Sequence, residues 1–207
     1  MEISSSPRQL SIPEFYNNKS ILITGGTGFL GKLITEKLLR SCPGIDNIYL
    51  LCRSKKGKNI NERLEEITSS PAFDLLREQN PQALNKIILI EGDVAMLELG
   101  ISKDDQEVLK DKVSIVIHSA ATINFNEPLS IAVNTNLRSM RELIRLGREM
   151  KDLKVKLLLF RLNMSVIGPS KHEGTCRGFQ AVATLNKTCL CHFELMHINF
   201  GLKAKKP

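Results

Sequence analysis

The chain has no tryptophan and only two tyrosines. No apolar run approaches the roughly 18 residues that a membrane-spanning helix needs. Its start, Met1-Glu-Ile-Ser-Ser-Ser-Pro7, has neither the basic nor the apolar segment of a secretory signal. These absences lead us to expect an intracellular protein with no membrane anchor. The five cysteines (Cys42, Cys52, Cys176, Cys189 and Cys191) are an odd set, which argues against a secreted disulfide framework. There are no internal repeats. The net charge of +7 is not spread over a face that could bind nucleic acid. Of the 29 basic and 22 acidic residues, nine and two lie beyond residue 153, so the whole excess sits in the last stretch and the rest is balanced. No nucleic-acid partner is therefore expected.

The residues present are enough for a sizeable core: 207 in all, 42% hydrophobic and 25% charged. The most informative segment is Ser20-Ile-Leu-Ile-Thr-Gly-Gly-Thr-Gly-Phe-Leu-Gly31. Gly25, Gly28 and Gly31 stand between a short apolar run and a helical pattern in which Phe29, Leu30, Leu33, Ile34 and Leu38 recur before Cys42-Pro43-Gly44 stops the helix. Strand, glycine turn and helix in that order form a phosphate cradle. One glycine suits the tight turn, one lets backbone approach a pyrophosphate, and one permits close packing of helix on strand; the helix N-terminus offers its unpaired N–H groups. Alone, the pattern also fits an ordinary glycine-rich turn.

Further buried strands are read at 47–53, 86–94 and 113–121, with helical segments between them. Ser102 and Asp105 resemble a capping box at the head of one helix, and positions 129, 132, 133, 137, 140, 143, 144 and 147 mark the face of another. Alternating strands and helices imply an α/β fold with a doubly wound parallel sheet, Rossmann-like. Beyond Leu153 the pattern fails. Residues 157–160 could make a fifth strand, but Gly168, Pro169, Gly174 and Gly178 interrupt the segment after it, in which no clear element is read. The expected organisation is an incomplete nucleotide-binding domain over residues 11–153 and then a basic, largely disordered tail over 154–207.

At the end of the second strand, an acid about 20 residues after the glycines would bind the ribose 2′-hydroxyl of NAD. Arg53-Ser-Lys-Lys56 stands there instead, which favours the 2′-phosphate of NADP(H). Gly92-Asp93-Val94 and Ala120-Ala121 close the third and fourth strands, where an open α/β sheet places its ligand; Asp93 could accept from an adenine amino group or simply cap a helix. Asn136 falls on an apolar stripe, where a satisfied buried amide is the simpler role. Cys176, Cys189, Cys191, His192 and His197 gather metal-ligand types, yet Cys-x-Cys lacks the usual spacer and there is no second spaced pair, so no metal is assigned.

The run Ser11-Ile-Pro-Glu-Phe-Tyr16, Thr24-Gly-Gly-Thr-Gly-Phe-Leu-Gly31, Leu38-Leu-Arg-Ser-Cys-Pro43, Ile48-Tyr-Leu-Leu51 with Arg53, Gly92-Asp-Val94 and His118-Ser-Ala-Ala-Thr122 resembles the amino-terminal domain of the alcohol-forming fatty acyl-CoA reductases, a branch of the extended short-chain dehydrogenases. The resemblance covers about residues 11–153. It implies NADPH as cofactor and a long-chain fatty acyl-CoA as substrate, reduced to aldehyde and then alcohol. It also implies cofactor contacts at Thr24, Gly25, Gly28, Phe29, Leu30 and Gly31, with the pyrophosphate held by Gly25, Gly28 and Gly31, and further contacts at Arg53 for the 2′-phosphate, Asp93 and Val94 for the adenine, and Ala120 and Ala121 near the inner ribose. The family is found with peroxisomal or endoplasmic-reticulum membranes, for which this sequence carries no signal of its own; no Ser-Lys-Leu terminus is present.

The same family meets the charge that develops on the carbonyl oxygen with a Tyr-x-x-x-Lys pair and a Ser or Thr at the fifth strand. Here Tyr16 precedes the first strand, and Tyr49 lies inside the second with Arg53 four residues on. Neither fits, and nothing around Ser165 supports it as a stand-in. No catalytic residue is assigned, and the chain is expected to be inactive alone. A catalytically silent NADP-binding or interaction module is the alternative reading.

Overall fold

Four aliphatic runs with almost no internal polarity become the centre of one sheet, as expected of strands covered on both faces. In the computed structural model, which describes residues 10–54, 57, 59–122, 129–162 and 179–185, these are β1 (Ser20–Thr24), β2 (Ile48–Cys52), β3 (Ile87–Glu91) and β4 (Val113–His118). β1, β2 and β4 are buried at every position, whereas β3, at the sheet's edge, exposes Ile88 and Glu91. The order is β3-β2-β1-β4, all parallel, with Ile21 level with Ile48 on one side and Ile115 on the other. The chain thus reverses its direction of winding between β1 and β4, and ligands of open α/β sheets bind at such a switch point.

Alternate side chains of each strand feed two cores. Ile21, Ile23, Ile48, Leu50, Ile115 and Ile117 pack with Leu39 of α2 (Phe29–Ser41), Ile67 of α3 (Ile60–Thr68) and Leu76 of α4 (Asp74–Gln79). Leu22, Tyr49, Leu51 and Val116 pack on the other face with Leu109 of α5 (Lys103–Lys112) and with Leu143 and Leu146 of α7 (Ser139–Glu149). The helix foreseen from residue 129 is three pieces: α6 (Leu129–Val133), a single π turn (Asn134–Arg138) and α7. A five-residue helix that the sequence reading passed over, α1 (Ile12–Tyr16), precedes β1; its capping box pairs Ser11 with Glu14.

The fifth strand is real and longer than expected. β5 (Val155–Leu162) runs parallel to β4, with Ile115 level with Val155. The expectation of no element beyond it is corrected: β6 (Phe179–Leu185) pairs antiparallel with β5 from Lys156↔Leu185 to Leu162↔Phe179. An unpaired β5 would present an open row of N–H and C=O groups, and a returning strand supplies partners. Gly168, Pro169, Gly174 and Gly178, which interrupt the pattern in the sequence, lie outside the described residues.

Candidate functional site: a nucleotide cradle at the strand ends

The turn after β1 leaves no room for side chains at two of its glycines. Gly25 has φ +72°, a left-handed conformation, and a Cβ there would lie 2.6 Å from the Ala120 backbone nitrogen across the β1–β4 crevice. A Cβ on Gly31 would run into the Gly25 carbonyl oxygen and come within 2.6 Å of the Gly26 Cα, so α2 can lie against the turn only with glycine there. Gly26, absent from the sequence assignment, is less confined: its Cβ would meet the end of the Leu50 side chain at 2.8 Å rather than backbone. Gly28 differs. Its backbone is ordinary extended chain, and an added Cβ would meet only the Gly25 oxygen at 3.2 Å. The space beside it is open, as a site for a pyrophosphate requires.

Gly28 is the N-cap of α2, and no side chain closes that end. α1, α3 and α5 are capped by Ser11, Asn59 and Ser102. The first N–H groups of α2 therefore face outward with the positive end of the helix dipole behind them, an arrangement that attracts an anion. Phe29 and Leu30, the first helical residues, are exposed at this lip. Thr24 is placed otherwise: it is fully buried and its hydroxyl is spent on His118.

His118 at the end of β4 holds the crevice together. Ser139 Oγ donates to the Asn136 carbonyl oxygen (3.2 Å), so it accepts from His118 Nε2–H (3.3 Å), and His118 Nδ1 accepts from the Thr24 hydroxyl (2.5 Å). This neutral tautomer satisfies every group, and burial pushes the imidazole pKa down to about 4. Ser119 adds two bonds from β4 to β1, its N–H and Oγ both donating to the Thr24 carbonyl oxygen at 3.1 and 2.8 Å. Asn136, on the π turn, accepts from the Thr122 N–H at 3.1 Å and so fixes the chain just past Ala120 and Ala121, both half-buried at the crevice wall. The sequence reading missed His118, Ser119 and Ser139; the histidine's role depends on a serine 21 residues away, which no local pattern reveals.

The end of the crevice at β2 and β3 is looser. Arg53 comes directly after β2 and is exposed. Asp93 lies just past β3; its Oδ1 accepts from the Ala95 N–H at 2.9 Å, and its own N–H donates to the Leu99 carbonyl at 2.7 Å. That carbonyl is turned into place by a run of left-handed residues, Glu98, Leu99 and Gly100, with φ of 51°, 59° and 60°. Buried Glu142 of α7 accepts from the Glu98 N–H at 3.3 Å and steadies the run. Val94 packs half-buried on the second core.

Both tyrosines lie apart from this crevice's chemistry. Tyr49 is a 5%-exposed core residue of β2, and Tyr16 packs edge-on against Phe15 with centroids 5.1 Å apart; burial raises both phenol pKa values. Ser165 and the cysteine and histidine group at 176–197 lie outside the described residues. Among the described residues no group of carboxylate, cysteine and histidine side chains is arranged to hold a metal, and no helix is long and apolar enough to cross a membrane.

Comparison with known proteins agrees with this architecture. Residues 23–160 match the NAD-binding family model described as male sterility protein. Fatty acyl-CoA reductase 1 of Mus musculus is 48% identical over 146 residues, which is 70% of this chain and 28% of the relative; the Homo sapiens protein is 47% identical over the same length. Fatty acyl-CoA reductase wat of Drosophila melanogaster is 40% identical over 180 residues, 85% of this chain and 34% of the relative. The chain thus spans about a third or less of the curated relatives it matches. Among solved structures, the terminal R domain of the myxalamid PKS-NRPS pathway shares the fold at TM-score 0.59 and 24% identity, covering 78% of this chain and 40% of that one. The reductase domain of a Mycobacterium tuberculosis non-ribosomal peptide synthetase does so at TM-score 0.55 and 25% identity, covering 70% and 33%. With a Rossmann-like sheet, a glycine cradle at its switch point and a family model spanning most of the chain, this protein belongs to the NAD-binding male sterility family, the family of the fatty acyl-CoA reductases.

Proposed function

We propose that this chain binds NADPH across the β1–β4 crevice as the nucleotide-binding part of a reductase acting on long-chain fatty acyl-CoA inside the cell. The observation that carries the reading is the uncapped N-terminus of α2 at Gly28, with open space beside it and no room for side chains at Gly25 or Gly31. A pyrophosphate supplies the acceptors those N–H groups lack. Gly25, Gly28, Phe29, Leu30 and Gly31 form that end of the site, with Thr24 buried behind it, Ala120 and Ala121 its inner wall, and Asp93 and Val94 the adenine side. Arg53, exposed where a ribose-binding acid would stand, selects the 2′-phosphate by charge-assisted hydrogen bonds. The cofactor supplies hydride; the chain's residues bind and orient it.

In the family reaction a thioester accepts hydride and a proton, releasing the thiol and an aldehyde, and the aldehyde accepts a second pair to give the alcohol. Our reading is that this chain alone binds cofactor without completing those steps. Tyr49 is locked in the core and Tyr16 precedes the sheet, so no positioned phenol can donate the proton, a contribution worth about a hundred- to ten-thousand-fold. Calorimetric titration with NADPH and NADH tests the binding: tighter NADPH is expected, with the preference erased or reversed in Arg53→Asp, and equal affinity in the parent overturns it. Incubation with NADPH and a long-chain acyl-CoA, then chromatography, tests the rest. Aldehyde or alcohol above a Gly28→Val control would refute the silent reading.

A further inference from the structure

We infer that Glu142 of α7 is a positioning residue for the adenine, holding the Asp93 carboxylate in place through the left-handed run at 98–100; this rests on the NADPH reading above. The path is short and made of backbone. Glu142 Oε2 accepts from the Glu98 N–H at 3.3 Å, and the Leu99 carbonyl, one residue on, accepts from the Asp93 N–H at 2.7 Å. Asp93 Oδ1 is occupied by the Ala95 N–H at 2.9 Å, so among the described residues Oδ2 is the oxygen left to accept from an adenine amino group. The run is costly to hold, because Glu98 and Leu99 are not glycines yet have φ of 51° and 59°. Its other support comes from α5. There Gln106 donates to the Ile101 carbonyl at 3.0 Å, and Lys103 donates to the Glu98 carboxylate at 2.9 Å.

The second observation is how little else the Glu142 carboxylate does. The residue is 3% exposed on the face of α7 that also buries Leu143 and Leu146, where an apolar side chain would pack without a charge to desolvate. Taking a carboxylate out of water is unfavourable unless it is paired and hydrogen-bonded. Its cations are poor partners: Arg141 Nε lies 3.8 Å away and Arg145 Nη1 4.0 Å, beyond hydrogen-bond reach, and both arginines are exposed. The Glu98 N–H is the carboxylate's one hydrogen bond among the described residues. What the buried charge fixes is therefore the run, more than α7 itself. α7 serves the crevice twice: Ser139, fully buried, meets His118 at the end of β4, and Glu142, on the next turn, meets the loop that leaves β3. One rigid helix thus sets the adenine side against the inner wall.

The test is calorimetric titration of the full chain, parent and variants, with NADPH and with its hypoxanthine analogue, which lacks the adenine amino group, beside circular dichroism for folding. The ratio of the two affinities reads the Asp93 contact, and a loss of stability alone does not move it, since only folded chain binds either. The parent should prefer NADPH by about fivefold, the value of one hydrogen bond. Glu142→Leu cannot accept, and Glu142→Asp stops one methylene short of the Glu98 N–H; both should abolish the preference, and Glu142→Asp carries the test if Glu142→Leu does not fold. Glu142→Gln, whose amide oxygen reaches the same N–H, should keep it. In an Asp93→Ala background, Glu142→Leu should change the ratio no further. A parent-like ratio in folded Glu142→Asp or Glu142→Leu, its loss in Glu142→Gln, or a parent that binds both dinucleotides equally overturns the inference and leaves the NADPH reading standing. A parent chain with affinity for neither overturns the NADPH reading and this inference together.

Discussion

The two ends of the crevice, proposed for the pyrophosphate and for the adenosine, are built from different materials. The first is backbone: Gly25 and Gly31 sit where a Cβ would strike main-chain atoms, and the groups offered to a ligand are N–H groups at the start of α2. The second is side chains on loops: exposed Arg53, Asp93 half-spent on Ala95, and a left-handed run braced by Glu142 from another helix. A backbone site is rigid and has few permissible residues. A side-chain site can be retuned one residue at a time, which suits the end proposed to discriminate between cofactors.

The largest expected effect breaks the backbone end outright. Gly31→Val puts a branched side chain against the Gly25 carbonyl and the Gly26 Cα, neither of which can move without the sheet, and should destabilise by about 3 kcal/mol, read from the urea midpoint at unchanged m. Close behind is acid. His118 stays neutral in the fold down to about pH 4, whereas in the unfolded chain it takes up a proton near pH 6.5. Between those values the unfolded state binds more protons, so stability falls as pH is lowered through that window, by roughly 3 kcal/mol at its lower end. Urea titrations at pH 7 and pH 4.5 should show the loss, and His118→Gln should remove most of its pH dependence while lowering stability at pH 7.

Gly28→Val separates binding from folding. With ordinary backbone angles and only the Gly25 oxygen nearby, it should change stability by less than about 1 kcal/mol yet weaken NADPH by at least tenfold, because the new side chain fills the phosphate's approach. Calorimetry beside far-ultraviolet circular dichroism checks both halves; parent-like affinity would remove the cradle assignment. The smallest effect belongs to the adenosine end. Asp93→Ala loses the bond to the Ala95 N–H and should lower stability by about 1 kcal/mol, with a few-fold loss of NADPH affinity. If Asp93→Ala harms the fold more than Gly31→Val does, the contrast between the two ends is wrong.

Much of this was legible because it is local. The boundaries of β1, α2 and its stop at Cys42 arise from an apolar run, three glycines and Pro43, and the Ser102 cap stands where its spacing placed it. The α1 capping box was equally local, yet five residues give too short a periodic signal to stand out. β6 was hidden for another reason: its identity as a strand comes from the β5 edge it covers, and that partner lies across a connection rich in glycine. His118 sat inside a motif read as a strand end, but its hydrogen bonds to Thr24 and Ser139 require the sheet and α7 to be assembled first.

By itself the sequence determined the strand and helix succession, the parallel class of the sheet and the glycine cradle, because hydrophobic period and the absence of a Cβ act over a few residues. Tertiary structure decided which glycine is confined and which is open, that Thr24 turns inward, and that β6 closes the sheet's edge. Each of those depends on atoms brought together from distant parts of the chain, where packing and hydrogen-bond satisfaction, rather than local preference, choose the outcome.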